Sequence, residues 1–347
     1  VLEALGRAPI GYLDPELFTL LDGLRADLRT VFGTANRFTL PLTGTGMAGM
    51  ECCFANLLET GDQVVIGVNG FFGGRMVEIC RRLGADVTVV EAVWGTPLQP
   101  EMMQAAIEST PRLKLVACVH AETSTGVMQP LEEIVAIAHR HGALFLADAV
   151  TSLGGIAVNI DSVGVDVCYS GSQKCLGAPP GISPITVSDR AMEAAAARRT
   201  PVSSWYYDWS LLGAYYDGGH AYHHTVPVNL LYAVRAALAE VVAEGLEPRF
   251  ERHRVVSDQL LEGLAEQGIA PFAPATVRLP MLNAVHIPEQ VADEAAVRRR
   301  LLTEYGIEIG GGLGALKGKI WRIGTMGSSA TADNVTRLLS AMRVVLS

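Results

Sequence analysis

Charge is scarce in this chain: 18% of its 347 residues are Asp, Glu, Lys or Arg, and aromatics make up only 6%. Basic residues are the scarcer sign, 27 against 36 acidic, which leaves a net charge of −9 and a pI near 5.4. Without a basic stretch, neither nucleic acid nor an anionic membrane surface finds a counter-surface here. Apolar runs are short, none approaching the roughly 20 residues of a membrane span, and no signal-peptide pattern opens the chain. The six cysteines show no paired spacing apart from Cys52-Cys53, and chain neighbours do not easily bridge each other. They read as free thiols of a reducing compartment, so a cytoplasmic location is expected. The tail Val344–Ser347 carries no targeting motif. The chain opens on Val1 rather than Met, as expected of the ordered or cloned part of a longer protein.

What is present is apolar: 49% of the residues are hydrophobic, enough for a large core, and the length suggests about two domains. Strand candidates at 38–42, 63–68, 86–90, 113–120, 143–148, 165–169 and 182–187 alternate with helix candidates such as 47–58, 73–83, 131–141 and 189–197. Near-continuous apolar strands separated by helices predict a parallel sheet covered on both faces, with ligands beyond the strands' carboxyl ends. A helical pattern over 226–244 stops at Gly245, a C-cap signal. After it come a helix, two or three short strands around 283–287 and 319–323, and a terminal helix. The reading is an α/β large domain, 1–245, followed by a smaller α+β domain, 246–347.

Lys174 sits in the small-residue frame Ser170-Gly171-Ser172-Gln173-Lys174-Cys175-Leu176-Gly177. A lysine among Gly, Ser and Pro beside apolar segments is either held by a partner or kept there to react, and a deprotonated lysine forms a Schiff base with a carbonyl compound. Asp148 closes the apolar run Ala143–Ala147. It is either a turn cap for the residues after it or the partner of a heterocyclic cation, as in pyridoxal phosphate chemistry. The loop Thr43-Gly44-Thr45-Gly46-Met47-Ala48-Gly49 leaves a strand and enters a helix. Gly44, Gly46 and Gly49 fit a dinucleotide spacing, a structural turn, or a cradle of helix N-terminal N–H groups for one phosphate. The strand after it ends at Val68-Asn69-Gly70 without the carboxylate a ribose needs, which favours the single phosphate.

Taken together, these stretches resemble the class V pyridoxal phosphate aminotransferases, in particular the alanine–glyoxylate and serine–pyruvate group. Gly44–Glu51, His120–Val127, Asp148–Gly155, Ser170–Gly181, Tyr222–Pro227 and Trp321–Gly324 carry the resemblance, which runs from about Leu24 to the C-terminus. It implies the type I fold of that cofactor class, a mainly parallel large domain with a smaller C-terminal α+β domain. Lys174 would hold the cofactor as a Schiff base and then move the proton, while Asp148 would pair with the pyridine nitrogen. Thr45, Gly46, Met47 and Gln173 would bind the phosphate, and Phe72 and Val150 would cover the two ring faces. Thr123 would reach the phenolic oxygen, and Arg322 would clamp the substrate carboxylate, with the run Gly310–Gly314 near the same pocket. Tyr222 and Thr225 would come from the other subunit of a homodimer. Phe72 departs mildly from the family, where Trp is common, and the Gly/Pro-rich segment ahead of the first large-domain helix is missing. That segment either precedes Val1 or is replaced. His223 and His224 are adjacent imidazoles without further ligands, so no metal site is expected.

The implied activity is ping-pong transfer of an amino group from alanine or serine to glyoxylate or pyruvate. Tyr222, rather than a smaller amide, favours ordinary amino acid donors over ureidoglycine. Three alternatives stand beside it: a ureidoglycine–glyoxylate aminotransferase, a lyase or cysteine desulfurase using the same cofactor, and a nicotinamide oxidoreductase built on the glycine loop.

Overall fold

The computed structural model describes residues 1–217 and 221–346. Twelve strands occur in chain order: β1 Phe38–Thr43, β2 Gln63–Val68, β3 Asp86–Glu91, β4 Leu113–Val119, β5 Ala121–Glu122, β6 Val127–Met128, β7 Leu144–Asp148, β8 Val167–Tyr169, β9 Ile182–Val187, β10 Leu282–His286, β11 Gly310–Gly311 and β12 Ile320–Gly324. Seven form one sheet in the order β1-β9-β8-β7-β4-β2-β3. Its central strands are apolar on both faces because helices cover both sides, and β7 is buried at every position.

Most neighbours run parallel, as the alternation predicted, but β9 is antiparallel to both β1 and β8. The cause lies in the connection. Residues 170–181 between β8 and β9 form turns without a crossover helix, so the chain folds straight back. Lys174 therefore occupies a turn just beyond the carboxyl end of β8. The carboxyl ends of β1, β2, β4 and β7 open at the same edge, and Gly44 N–H donates to the Gly181 carbonyl at 2.8 Å, tying the glycine loop to the lysine turn.

The helix expected from residue 226 spans Val228–Glu244 and packs along Pro15–Phe32. Pro227 sets its start, since proline suits the entry of a helix but not its interior. Helix Trp209–Tyr216 had no counterpart in the sequence reading; it is apolar almost all round and lacks the stripe that announces a surface helix. Beyond Gly245, helix Leu246–Ala265 leads into the antiparallel sheet β10-β12-β11, flanked by helices Glu294–Tyr305 and Ala332–Leu346. One apolar core gathers buried side chains from Leu17 to Val241, and a second gathers those from Val256 to Val345. A small cluster of Ala121, Cys175, Leu279 and Met281 joins them beneath the lysine turn.

Candidate active site

The glycine loop is shaped by what a side chain would strike. Gly44 has φ +135°, and a Cβ there would lie 2.4 Å from the Ala48 Cβ. A Cβ on Gly46 would come within 2.8 Å of Val150 Cγ2, so the helix Gly46–Leu57 starts hard against the chain leaving β7. Thr45 occupies the N-cap position, yet its hydroxyl caps nothing. Gly46 and Met47 open the helix, so their N–H groups have no intrahelical acceptor, and the first bond of the turn is Ala48 N–H to the Thr45 carbonyl. This cluster of unspent donors faces a cavity of about 170 Å³.

The same cavity brings together most of the residues singled out from sequence. Thr45, Gly46 and Met47 form one wall; Phe72, Thr123 and Val150 line the sides; Asp148, Gln173 and Lys174 complete it. Met50, Val119, Ala121 and Thr151, which the sequence reading did not single out, also line it. Asp148 is buried at the carboxyl end of β7. Its Oδ1 accepts from Val150 N–H at 2.8 Å and its Oδ2 from the Tyr169 hydroxyl at 2.7 Å. The turn-cap and ring-partner readings of this aspartate are therefore compatible, since one oxygen caps while the carboxylate still lines the cavity. Burial pushes the Asp148 carboxyl up to about 6, against the lowering pull of those two donors. Lys174 is held below the ordinary lysine range, first by burial and then by the charge of Arg322, with Cys175 and Asp148 pulling the other way.

Arg322 does not line this cavity. It lies in a wider opening of about 650 Å³ that shares Gln173 and Lys174 with it and includes Glu308, Gly310 and Met326. Its Nε donates to the Gly311 carbonyl at 2.8 Å and its Nη1 reaches the Thr123 carbonyl at 3.4 Å. Both acceptors are neutral, so among the described residues no carboxylate closes on the guanidinium. Of the glycine run before it, Gly310 lines the opening.

Tyr222 and Thr225 lie outside both cavities. The Tyr222 hydroxyl meets Thr225 Oγ1 at 3.1 Å, its ring packs on Tyr12, and it is 62% exposed. His223 and His224 touch through their Nδ1 atoms at 2.8 Å, and His224 Nε2 meets Thr43 Oγ1 at 3.2 Å. A separate groove of about 490 Å³ along helix Leu246–Ala265 contains none of the residues above, and its Arg254 is already paired with Glu251 and Asp258.

Two polar residues escaped the sequence reading. Glu122, fully buried, accepts from Phe72 N–H at 3.0 Å and from Ser124 N–H and hydroxyl at 2.9 and 2.7 Å. It fastens the first turn of helix Phe71–Arg82 to the Thr123 loop. A carboxylate inside the apolar-and-hydroxyl run 121–127 was the available signal. Tyr169 supplies the donor to Asp148, but nothing along the chain announces that contact.

The alternatives fare differently against this geometry. All six cysteines are buried, and burial pushes the Cys52, Cys118 and Cys175 thiols up to about 12, so none offers the accessible thiolate of a desulfurase. The dinucleotide reading also fails, because β2 ends in Val68 followed by buried Asn69 and supplies no carboxylate for a ribose. No helix of the described residues is long and apolar enough to cross a membrane.

The sequence matches the family described as Aminotransferase class-V over residues 11–338, starting somewhat before Leu24. An (S)-ureidoglycine–glyoxylate transaminase of Bacillus subtilis is 37% identical, with all of this chain and 87% of the relative covered. An alanine–glyoxylate aminotransferase of Oryctolagus cuniculus is 39% identical, covering 100% of this chain and 89% of the relative. Among solved structures, an alanine–glyoxylate aminotransferase from Nostoc sp. matches with a TM-score of 0.98 at 45% identity, over 100% of this chain and 91% of that one.

Proposed function

The chain belongs to the class V aminotransferases, a pyridoxal phosphate-dependent family, and from that premise we propose that it moves an amino group from alanine or serine to glyoxylate or pyruvate. The observation that carries the assignment of roles is the position of Lys174, which lines both the donor-rich cavity and the opening that holds Arg322. The smaller cavity suits the cofactor. Unspent N–H groups of Gly46 and Met47, with the Thr45 hydroxyl and Gln173, match a phosphate dianion. Asp148, whose charge is disfavoured by burial and by nearby Glu122, gains a reason to ionise opposite a ring N–H cation. Phe72 and Val150 would hold the ring between apolar surfaces, and Thr123 would donate to its oxygen.

When bound, the cofactor supplies an electron sink for the carbanion at the substrate α-carbon. The remaining work falls to this chain's side chains. The Lys174 amine would hold the cofactor and, once the substrate amine displaces it, would serve as the base that takes the proton from the substrate α-carbon. Its lowered pKa keeps a larger share of the amine in the basic form. Arg322 binds the α-carboxylate that donor and acceptor have in common, through a planar fork not yet committed to a carboxylate. Because one opening serves both, the first product leaves before the second substrate enters, which gives ping-pong kinetics.

Tyr222 and Thr225, exposed and away from the cavities of their own protomer, fit the expectation that they reach the phosphate site of a second copy. Gly245 would mark the division between the large and small domains, since the two apolar cores fall on either side of it.

The visible spectrum tests the central claim. Protein reconstituted with pyridoxal phosphate should show a yellow band that borohydride bleaches and that Lys174→Ala lacks; a colourless wild-type protein would overturn it. A panel of alanine, serine and ureidoglycine against glyoxylate and pyruvate then selects the donor. Initial-rate lines that intersect instead of running parallel would count against ping-pong transfer.

A further inference from the structure

An ionic cluster lies outside both cavities, with Arg249 buried and Glu244 and Arg252 half-buried. Glu244 ends helix Val228–Glu244, and Arg249 and Arg252 lie one turn apart on the next helix, Leu246–Ala265. Glu244 Oε2 pairs with Arg249 Nη1 at 2.6 Å, and its Oε1 and Oε2 meet Arg252 Nε and Nη2 at 2.6 and 2.9 Å. These two arginines hold the Glu244 carboxyl down at about 2, so the cluster stays ionised across the neutral range.

The remaining donors of the cluster go to main-chain carbonyls of the active-site turns. Arg249 Nη2 donates to the carbonyl of Cys175, the residue after Lys174, at 2.6 Å, and its Nε to the Gly154 carbonyl at 3.0 Å. Arg252 Nη1 donates to the carbonyls of Gly327 and Ala330, both at 2.9 Å. His253 adds a third tie: Gly327 N–H donates to its Nε2 at 3.1 Å, which leaves Nδ1–H to donate to the Arg249 carbonyl at 2.8 Å. The two turns so held touch backbone to backbone. Gly327 has φ +57°, and a Cβ on it would lie 3.2 Å from the Gly177 Cα and 3.3 Å from the Cys175 carbonyl oxygen. Met326, directly before Gly327, and Gly324, the last residue of β12, line the same opening as Lys174 and Arg322.

We propose that Glu244, Arg249 and Arg252 are positioning residues that fix the Lys174 turn and the Met326–Gly327 turn at one separation, and thereby set the span from the Lys174 amine to the Arg322 guanidinium across which an amino acid binds. This rests on the assignment of Lys174 and Arg322 above. Three of the four carbonyls on which the arginines spend their remaining donors lie in these two segments, Cys175 beside Lys174 and Gly327 and Ala330 after β12, and the fourth, Gly154, lies in the turn that follows Asp148. A half-buried ion pair is in itself weak support for stability, whereas a small displacement of a binding group is felt strongly in substrate binding and catalysis.

The test compares holoenzymes of Arg252→Met, Arg249→Lys and the parent. Arg252→Met frees the Gly327 turn while keeping the apolar stem, and should raise KM for both amino donor and oxo acid about tenfold, with a smaller change in kcat. Arg249→Lys loosens the Lys174 turn and should shift the pH midpoint at which the lysine-bound chromophore changes its absorption. A lowered Tm with KM and midpoint both unchanged would make the cluster purely structural and overturn the proposal. Should Arg249→Lys fail to fold, the KM of Arg252→Met, at the more exposed position, decides alone. A parent enzyme without chromophore or transamination is a distinct outcome, which removes the functional reading itself.

Discussion

At the scale of single residues, the chemistry here depends on charges held where water is scarce. Asp148 gives a pH dependence of definite sign. In the cofactor-free protein its pKa of about 6 lies above the ordinary 3.8, so below pH 4 it is neutral and costs nothing. As pH rises from about 4 to about 6 the unfolded chain ionises first, and the fold loses about 3 kcal/mol of stability. Asp148→Asn should therefore lose less stability than the parent between pH 4 and 6, as measured by urea unfolding at both values. His120, His224 and His253, each pushed down to about 4 by burial, act with the opposite sign but are common to both proteins. Parallel stability profiles would remove Asp148 as the source. Arg322→Gln tests the other charge. Losing a two-pronged ionic hydrogen bond should cut kcat/KM about 100-fold or more for donor and acceptor alike. A loss confined to one substrate would mean that Arg322 does not read the carboxylate they share.

At the scale of elements, helix Gly46–Leu57 must lie close on the sheet if its first N–H groups are to face the cavity. Gly49 makes that approach possible, because a Cβ there would fall 2.1 Å from Ser183 Oγ and 3.1 Å from the Tyr169 Cβ. Gly49→Ala should destabilise the protein by about 1–3 kcal/mol and weaken cofactor retention. Gly74, inside helix Phe71–Arg82, supplies the contrast, since a Cβ added there would meet nothing within 4 Å. Gly74→Ala should be neutral or stabilising by about 0.4–1 kcal/mol, since alanine mainly restricts the unfolded chain there. Chemical denaturation of the two variants checks both signs. The strands were legible because a strand buried on both faces shows as an apolar run whatever its neighbours are. The direction of β9 was not, because direction depends on what the intervening turn does, and twelve residues rich in Gly, Ser and Pro fit either a crossover or a return.

For the whole molecule, the exposed pair Tyr222 and Thr225 makes an assembly prediction. If Tyr222 serves the cofactor of a second copy, mixed dimers of Tyr222→Ala and Lys174→Ala contain one site with both groups intact. Refolding the two weak variants together should recover activity that neither shows alone. Failure to recover, with dimers confirmed by sedimentation, would place Tyr222 in its own protomer's chemistry or in none.

The sequence by itself determined the local devices: the Gly44–Gly49 loop, the small-residue frame around Lys174, the aspartate closing an apolar strand, and the lone arginine of β12. Each is a property of a few consecutive residues, whose backbone demands and burial are set by their neighbours in the chain. Only the tertiary structure decided how these devices share one site. Glu122 reaches Phe72 across 50 positions, Tyr169 reaches Asp148 across 21, and Arg249 reaches Cys175 across 74. Hydrogen-bond partners at such separations are chosen by the packing of strands and helices, which no run of residues announces. The tertiary structure also placed Lys174 on the boundary between two cavities, where a residue that the sequence marked as reactive borders both the unspent N–H groups of the glycine loop and the opening that holds Arg322.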